Sequence, residues 1–310
     1  MSNQKELNEL VNVHLGKAGD GSTVKPYVTP DAIDKSLLVP VPRSLNRTDY
    51  GIEEDNLPFV GFDTWNCYEV SALMDNGYPV SGQVKLVYPS DNPSIVESKS
   101  LKLYMNSYNM AKMGATFFDA LTNIEKQIAE DLSEALECEV KVYMFTYKNG
   151  EATRRAVVDD WSPIEEFVNL EEMTFDQYNE DPNTLVVENV GGEKLWTTNA
   201  LRSNCRVTNQ PDWGDIFIYI NGEKTVTPES LLQYIVSMRK ENHFHEEIVE
   251  CVYKRLYDLL PGHEIGVCAL YTRRGGIDIN PCRASSKEII EEFFYNLENE
   301  KEAHLKTERQ

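Results

Sequence analysis

The sequence predicts an α+β protein built from two copies of one module. Three observations lead there. Apolar patterns of period two and of period 3.6 alternate in the same order in the two halves of the chain. Some of the letters recur along with that order. The composition is that of a folded chain, with 41% hydrophobic and 10% aromatic residues among 310. A repeat of about 100 residues is too long for a solenoid and suits two small globular modules.

Taken in order, residues 1–55 form an N-terminal arm. A short amphipathic piece at 7–15 gives way to a proline-rich run through Pro26, Pro30, Pro40 and Pro42, which has apolar content without helical pattern. The first module spans 56–155. It carries Phe62, Trp65, Tyr68 and Val70 over 61–73, a period-two strand at 80–88, an apolar segment at 95–104 and a helix at 116–136. Phe118, Leu121, Ile124, Ile128 and Leu132 line that helix, and a strand at 140–147 follows. Residues 156–190 are acidic and irregular and read as a connector, with a turn at Asp181-Pro182. The second module, 191–285, has a strand at 216–220, an element at 228–237, a long helix at 244–260 and a strand at 265–271. Residues 286–310 make a charged helical tail with an apolar stripe of Ile289, Ile290, Phe293 and Leu297. The recurrence shows in Glu97-Ser98 against Glu229-Ser230. It shows again in the helices beginning at Phe117 and Phe244, which align by letter at an offset of 127, so that His245 and Glu246 replace Phe118 and Asp119.

Several classes of function are excluded. A net charge of −21 repels nucleic acid and anionic membranes, so an anionic ligand needs a local basic cluster. No apolar run reaches the roughly 18 residues of a membrane helix, and the start lacks a signal-peptide core, so a cytoplasmic location is expected. Six cysteines include no CxxC pair and sit mostly in apolar segments, which fits reduced core thiols and no metal site. There is no GxGxxG, Walker or HExxH motif.

Four places could carry chemistry. Cys205 and Asp212 are seven residues apart. Pro211 stiffens the approach and Gly214 allows tight packing after it, so a thiol nucleophile with a proton donor is one reading and a buried small hydrophobe the other. Glu97-Ser98-Lys99-Ser100-Leu101-Lys102 concentrates two lysines and two hydroxyls, fit either to grip phosphates or to guard a solvated edge strand. Arg273-Arg274-Gly275-Gly276 at a strand end could take a phosphate or be ordinary surface. His245 and Glu246 open a helix. There an imidazole passes protons and a carboxylate accepts two hydrogen bonds from a guanine-like edge, unless Glu246 only answers the helix dipole and His245 is only exposed.

Together these segments resemble a known family. Cys205 to Asp212, Glu97 to Tyr104, Phe244-His245-Glu246 and Tyr271 to Pro281, with Pro42 to Asn46 and Asn56 to Phe59, resemble the long, two-module form of the NADPH-dependent 7-cyano-7-deazaguanine reductases, the nitrile reductases of queuosine biosynthesis. The resemblance implies two tandem tunnelling-fold modules, each an antiparallel sheet backed by helices. It implies that Cys205 adds to the nitrile carbon to give a thioimide, that Asp212 protonates the nitrile nitrogen and that His245 handles a second proton. Glu97 and Glu246 would hold the deazaguanine base, with Val96, Ser98 and His245 beside it, and Ser98, Lys99, Arg274 and Gly275 would contact NADPH. A homodimer or larger homo-oligomer is expected, without nucleic acid, membrane or metal. An amidine-forming relative without hydride transfer and a non-catalytic purine- or pterin-binding module are the alternatives. The sequence departs from the family pattern at Cys282, Arg206 and Asn209.

Overall fold

The computed structural model describes residues 30, 32–77, 79–145, 161–170, 172–206 and 211–295. The expected amphipathic piece at 7–15, Asn209, the end of the strand expected at 140–147 and the tail beyond 295 lie outside the described residues. The fold is α+β with mainly antiparallel pairing, two short parallel pairs (Asn242–His243 with Asn204–Cys205 and Ser162–Pro163 with Trp196–Thr197) excepted, and it forms two compact units. One comprises 1–45, 64–152 and 273–277, and the other 46–63, 153–272 and 278–310. Both units are discontinuous in sequence, where consecutive domains had been expected, and the arm contributes to each.

In the first unit β1 (Pro40–Pro42), most of β2 (Val60–Leu73), β3 (Pro79–Pro89), β4 (Ser94–Val96), α1 (Ser98–Asn106), α2 (Phe117–Leu136) and β5 (Lys141–Phe145) follow one another. β3 lies between β2 and β5, and β1 pairs antiparallel with β4 from Pro40↔Val96 to Pro42↔Ser94. The segment from Glu97 to Lys102 is neither an edge strand nor a loop. It opens α1, because Glu97 caps the helix through the backbone N–H groups of Lys99 and Ser100, at 3.0 and 2.6 Å, while Leu101, Tyr104 and Met105 bury one face. α2 begins with a capping box in which Thr116 and Asp119 exchange side-chain and backbone bonds, and it buries Ala120, Leu121, Ile124, Ile128 and Leu132. Phe118, expected on that stripe, is exposed.

The second unit contains β6 (Ser162–Pro163), β7 (Val187–Glu188), β8 (Lys194–Thr198), β9 (Arg202–Cys205), β10 (Pro211–Asn221), β11 (Thr225–Val226), α3 (Pro228–Ser237), β12 (Asn242–His243), α4 (His245–Leu259), β13 (Glu264–Tyr271) and β14 (Ile277–Ala284). β10 is central. One edge pairs antiparallel with β13 from Gly214↔Tyr271 to Asn221↔Glu264. The other edge is shared, by β8 along Ile216–Ile220 and by β9 along Pro211–Trp213. α3 and α4 pack on this sheet in a core that includes Ile216, Ile218, Leu231, Ile235, Val252, Leu256 and Val267. The stretch expected as an irregular connector supplies β6, which pairs with β8, and Ile164, which is fully buried in the core. Two-residue strands carry no readable period, so the sequence could not announce them.

The repeat is real, but its helices align one residue later than the letters suggested. The N-caps are Thr116 and Phe244, an offset of 128. The buried stripe of α2 then falls on Ile248, Val249, Val252, Leu256 and Leu260. His245 and Glu246 therefore stand where Phe117 and Phe118 stand, and Glu247 is the counterpart of Asp119. The α1 and α3 pair is likewise set by side-chain bonds. Ser100 Oγ donates to the Glu97 carbonyl and Ser230 Oγ to the Thr227 carbonyl, which matches Glu97 with Thr227, not with Glu229.

Candidate active site

The second unit brings together Cys205, Asp212, His245 and Glu246. Strand register does most of this work. Asp212 on β10 faces Ser203 on β9, and Cys205 lies two residues beyond Ser203 at the end of that strand, so all three side chains project to one face. Residues 207–210 between the strands lie outside the described residues, but the pairing of Asn204 with Pro211 folds Asp212 back beside the cysteine strand. The alternate face carries Arg202, stacked over Trp213.

Asp212 is buried and lies 3.4 Å from Nε2 of His245. The imidazole is clamped from behind by Tyr271, whose ring is parallel to it at 3.8 Å between centroids and 4° between planes. Tyr271 is fully buried, and that burial, with Asp212 and Glu246 nearby, pushes its hydroxyl pKa well above the ordinary value, so it stays a neutral donor and acceptor. Gly214, directly opposite Tyr271, makes the clamp possible, because a Cβ there would lie 3.1 Å from Cδ1 of the tyrosine ring. Glu246 is 3% exposed on the first turn of α4, where the helix dipole favours its negative charge.

A second cluster lies behind the first. β12 pairs in parallel with β9, placing His243 opposite Cys205. His243 bridges Glu241 and Glu247 at 3.1 Å each and meets the hydroxyl of Tyr50 at 3.1 Å. Burial opposes its charge, but the hydrogen bonds to the two carboxylates more than offset that and raise its pKa to about 9. The same bond from His243 is the main reason Glu241 is held down to about 2. Farther along α4, Glu250 takes both Arg47 and Arg283 at 2.9 Å, and Arg283 also holds Asp63 at 2.8 Å, all four side chains being buried. This network ties α4 to β14 and to the segment before β2.

The remaining expected residues belong to the first unit. Glu97 is buried as the cap of α1, and desolvation raises its pKa although the capping bonds oppose this. Val96 is buried at the end of β4, Ser98 is half-buried and Lys99 is exposed. A cleft of about 360 Å³ in this unit is lined by Tyr68, Glu69, Lys102, Asn106, Asn109, Gly275 and Gly276, among others. Of the residues expected to contact a dinucleotide, Gly275 lines the cleft, whereas Ser98, Lys99 and Arg274 do not.

With this geometry in view, two family descriptions match the sequence: "nitrile reductase, 7-cyano-7-deazaguanine-reductase N-term" over 29–144 and "QueF-like protein" over 211–289. A Colwellia psychrerythraea protein named NADPH-dependent 7-cyano-7-deazaguanine reductase is 38% identical over 293 residues, covering 93% of this chain and 96% of its own length. An Azoarcus protein of the same name is 39% identical over 265 residues, covering 85% and 90%. The chain belongs to the 7-cyano-7-deazaguanine reductase family.

The first-unit cleft fits the nicotinamide dinucleotide in the names of these reductases. Lys102, 4.0 Å from the Glu69 carboxylate, offers a cation, Asn106 and Asn109 offer carboxamides, and the loop backbone is bare at Gly275. Gly275 has φ +55° and an added Cβ would come within 3.1 Å of Lys102 Nζ, so glycine there keeps the cation accessible to a phosphate. Tyr271, Ser203 and Glu247 were given no role by the sequence, whereas Lys102 was named there as the second lysine of its phosphate-gripping segment.

Proposed function

We propose that the chain reduces the nitrile of 7-cyano-7-deazaguanine to the aminomethyl group, consuming two NADPH per nitrile, a step of queuosine biosynthesis. The observation that carries the reading is the buried contact of Asp212 with His245, on the face that also presents Cys205. A nitrile accepts hydride poorly and a protonated thioimide accepts it well, which is what a covalent thiol supplies. The Cys205 thiol passes its proton to Asp212 as the sulfur bonds to the nitrile carbon. The displaced π pair goes to nitrogen, and Asp212 delivers the proton there. After the first reduction of that carbon the C–S bond breaks, returning the Cys205 thiolate and leaving an imine for the second. His245, in contact with Asp212, refills or drains that carboxyl as the carbon is reduced. Glu246 accepts hydrogen bonds from the N–H edge of the base, a role supported by its burial at the helix start, and Glu97 with Val96 and Ser98 is assigned to the same base. Tyr271 keeps the imidazole plane fixed and water away from it. NADPH, when bound, supplies the hydrides, with Lys102 and the Gly275 backbone holding its phosphates and Ser98, Lys99 and Arg274 adding further contacts. Among the described residues no helix is long and apolar enough to cross a membrane, and the reading places a homo-oligomeric enzyme in the cytoplasm.

The test is stoichiometric. Protein, 7-cyano-7-deazaguanine and NADPH are mixed and the nicotinamide absorbance is followed. Two NADPH oxidised per nitrile is the expected result, and product formation without NADPH oxidation would point to amidine chemistry instead.

A further inference from the structure

Glu247 has three partners, and they lie on three different pieces of the site. Its carboxylate accepts from Nη1 of Arg206 at 2.9 and 3.1 Å, meets Nδ1 of His243 at 3.1 Å and accepts the backbone N–H of Phe244 at 2.7 Å. Arg206 directly follows Cys205. His243 is paired in register with Cys205. Phe244 directly precedes His245 and Glu246.

The cap alone does not account for this arrangement. Its counterpart Asp119 performs the same capping task from an exposed position, bonding within its own cap. Glu247 instead is 3% exposed and holds a guanidinium whose side chain is only 7% exposed. A buried ion pair of this kind gives back in attraction little more than the desolvation it costs, and fixing one register among several is its best-attested use. There is a register to fix here. β9 ends at Cys205, held to β10 by three residue pairs and to β12 by two.

We propose that Glu247, acting through Arg206 and His243, is a positioning residue for nitrile capture: it fixes the strand end that presents Cys205 against the helix start that presents His245 and Glu246. The inference rests on Cys205 being the nucleophile. A displacement of about 1 Å in such a pair costs on the order of a hundredfold in rate.

The test follows covalent capture of 7-cyano-7-deazaguanine by intact mass in the absence of NADPH, for wild type, Glu247→Gln, Arg206→Met and the double variant. Base affinity is read by calorimetry in a Cys205→Ala background, with and without Glu247→Gln. Glutamine keeps an oxygen for the Phe244 cap but loses the charge that holds Arg206 and His243. The expected result is capture slowed ten- to a hundredfold in each single variant, a double variant within threefold of Glu247→Gln, and base affinity changed by less than threefold. Should Glu247→Gln not fold, Arg206→Met reads the same bond with the cap intact. Capture within twofold of wild type in either variant, or a loss of capture matched by an equal loss of base affinity, overturns the proposal. Capture that persists in Cys205→Ala removes the nucleophile assignment itself and the proposal with it, a result that the Glu247 variants cannot produce.

Discussion

The first turns of α2 and α4 are the same structural element put to different uses. In α2, Thr116 and Asp119 close a reciprocal capping box at an exposed position, and Phe117 and Phe118 precede the aspartate. In α4 the cap residue is Phe244, which has no oxygen to return a bond, so Glu247 alone closes the turn, and His245 and Glu246 precede it. The core-facing stripes beyond these turns are alike. A duplicated helix can thus keep its packing face while its first turn is freed for chemistry, because packing needs only the residues at three- and four-residue steps below it.

That contrast can be broken at several points. The largest effect is expected from Arg283→Met, which leaves Asp63 and Glu250 buried without their shared partner. A loss of about 3–5 kcal/mol in denaturant-derived stability is predicted, and a loss under about 1 kcal/mol would show that α4 is not anchored through this network. Asp212→Asn comes next. We expect base affinity to be retained and kcat to fall on the order of a hundredfold or more, and steady-state kinetics showing an unchanged kcat would remove its acid role.

The third point is pH. His243 faces Glu241, Glu247 and Tyr50, and its pKa in the folded chain is raised to about 9 from an ordinary 6.5. Because the folded value is the higher one, its stabilising contribution is complete below about pH 6.5 and is lost progressively as pH rises to about 9. At 1.36 kcal/mol per pKa unit it is worth up to about 3 kcal/mol. Denaturation midpoints between pH 6 and 9 should therefore fall for wild type and stay flatter for His243→Gln. No equivalent slope is expected from the α2 cap, which contains no histidine. The smallest effect belongs to Asp119→Asn, about 0.5–1 kcal/mol of stability with no change in nitrile capture. A capture defect in that variant would erase the difference between the two helices.

Much of the fold could be read before any coordinates. Long periodic runs, as in α2, α4, β3, β10 and β13, carry their own signal, and so did the α+β class and the doubling. α1 did not, because its nine residues are started by a glutamate cap and preceded by a three-residue strand. The letters also placed the helix repeat one residue early, since Phe117 and Phe244 look alike, whereas burial aligns Thr116 with Phe244. Of the site, Cys205, Asp212, His245 and Glu246 were visible as residue types in suggestive places and as a family resemblance.

The sequence by itself therefore determined the α+β class, its doubling and the candidate reactive side chains, all of which rest on local periodicity and residue chemistry. Only the tertiary structure decided that Tyr271 clamps His245 and that Glu247 gathers Arg206, His243 and Phe244. The bonds of Glu247 to His243 and Phe244 lie within one helical turn. The Tyr271–His245 stack and the Arg206–Glu247 pair instead join segments separated by tens of residues, and a strand register shifted by one would turn such side chains to the opposite face.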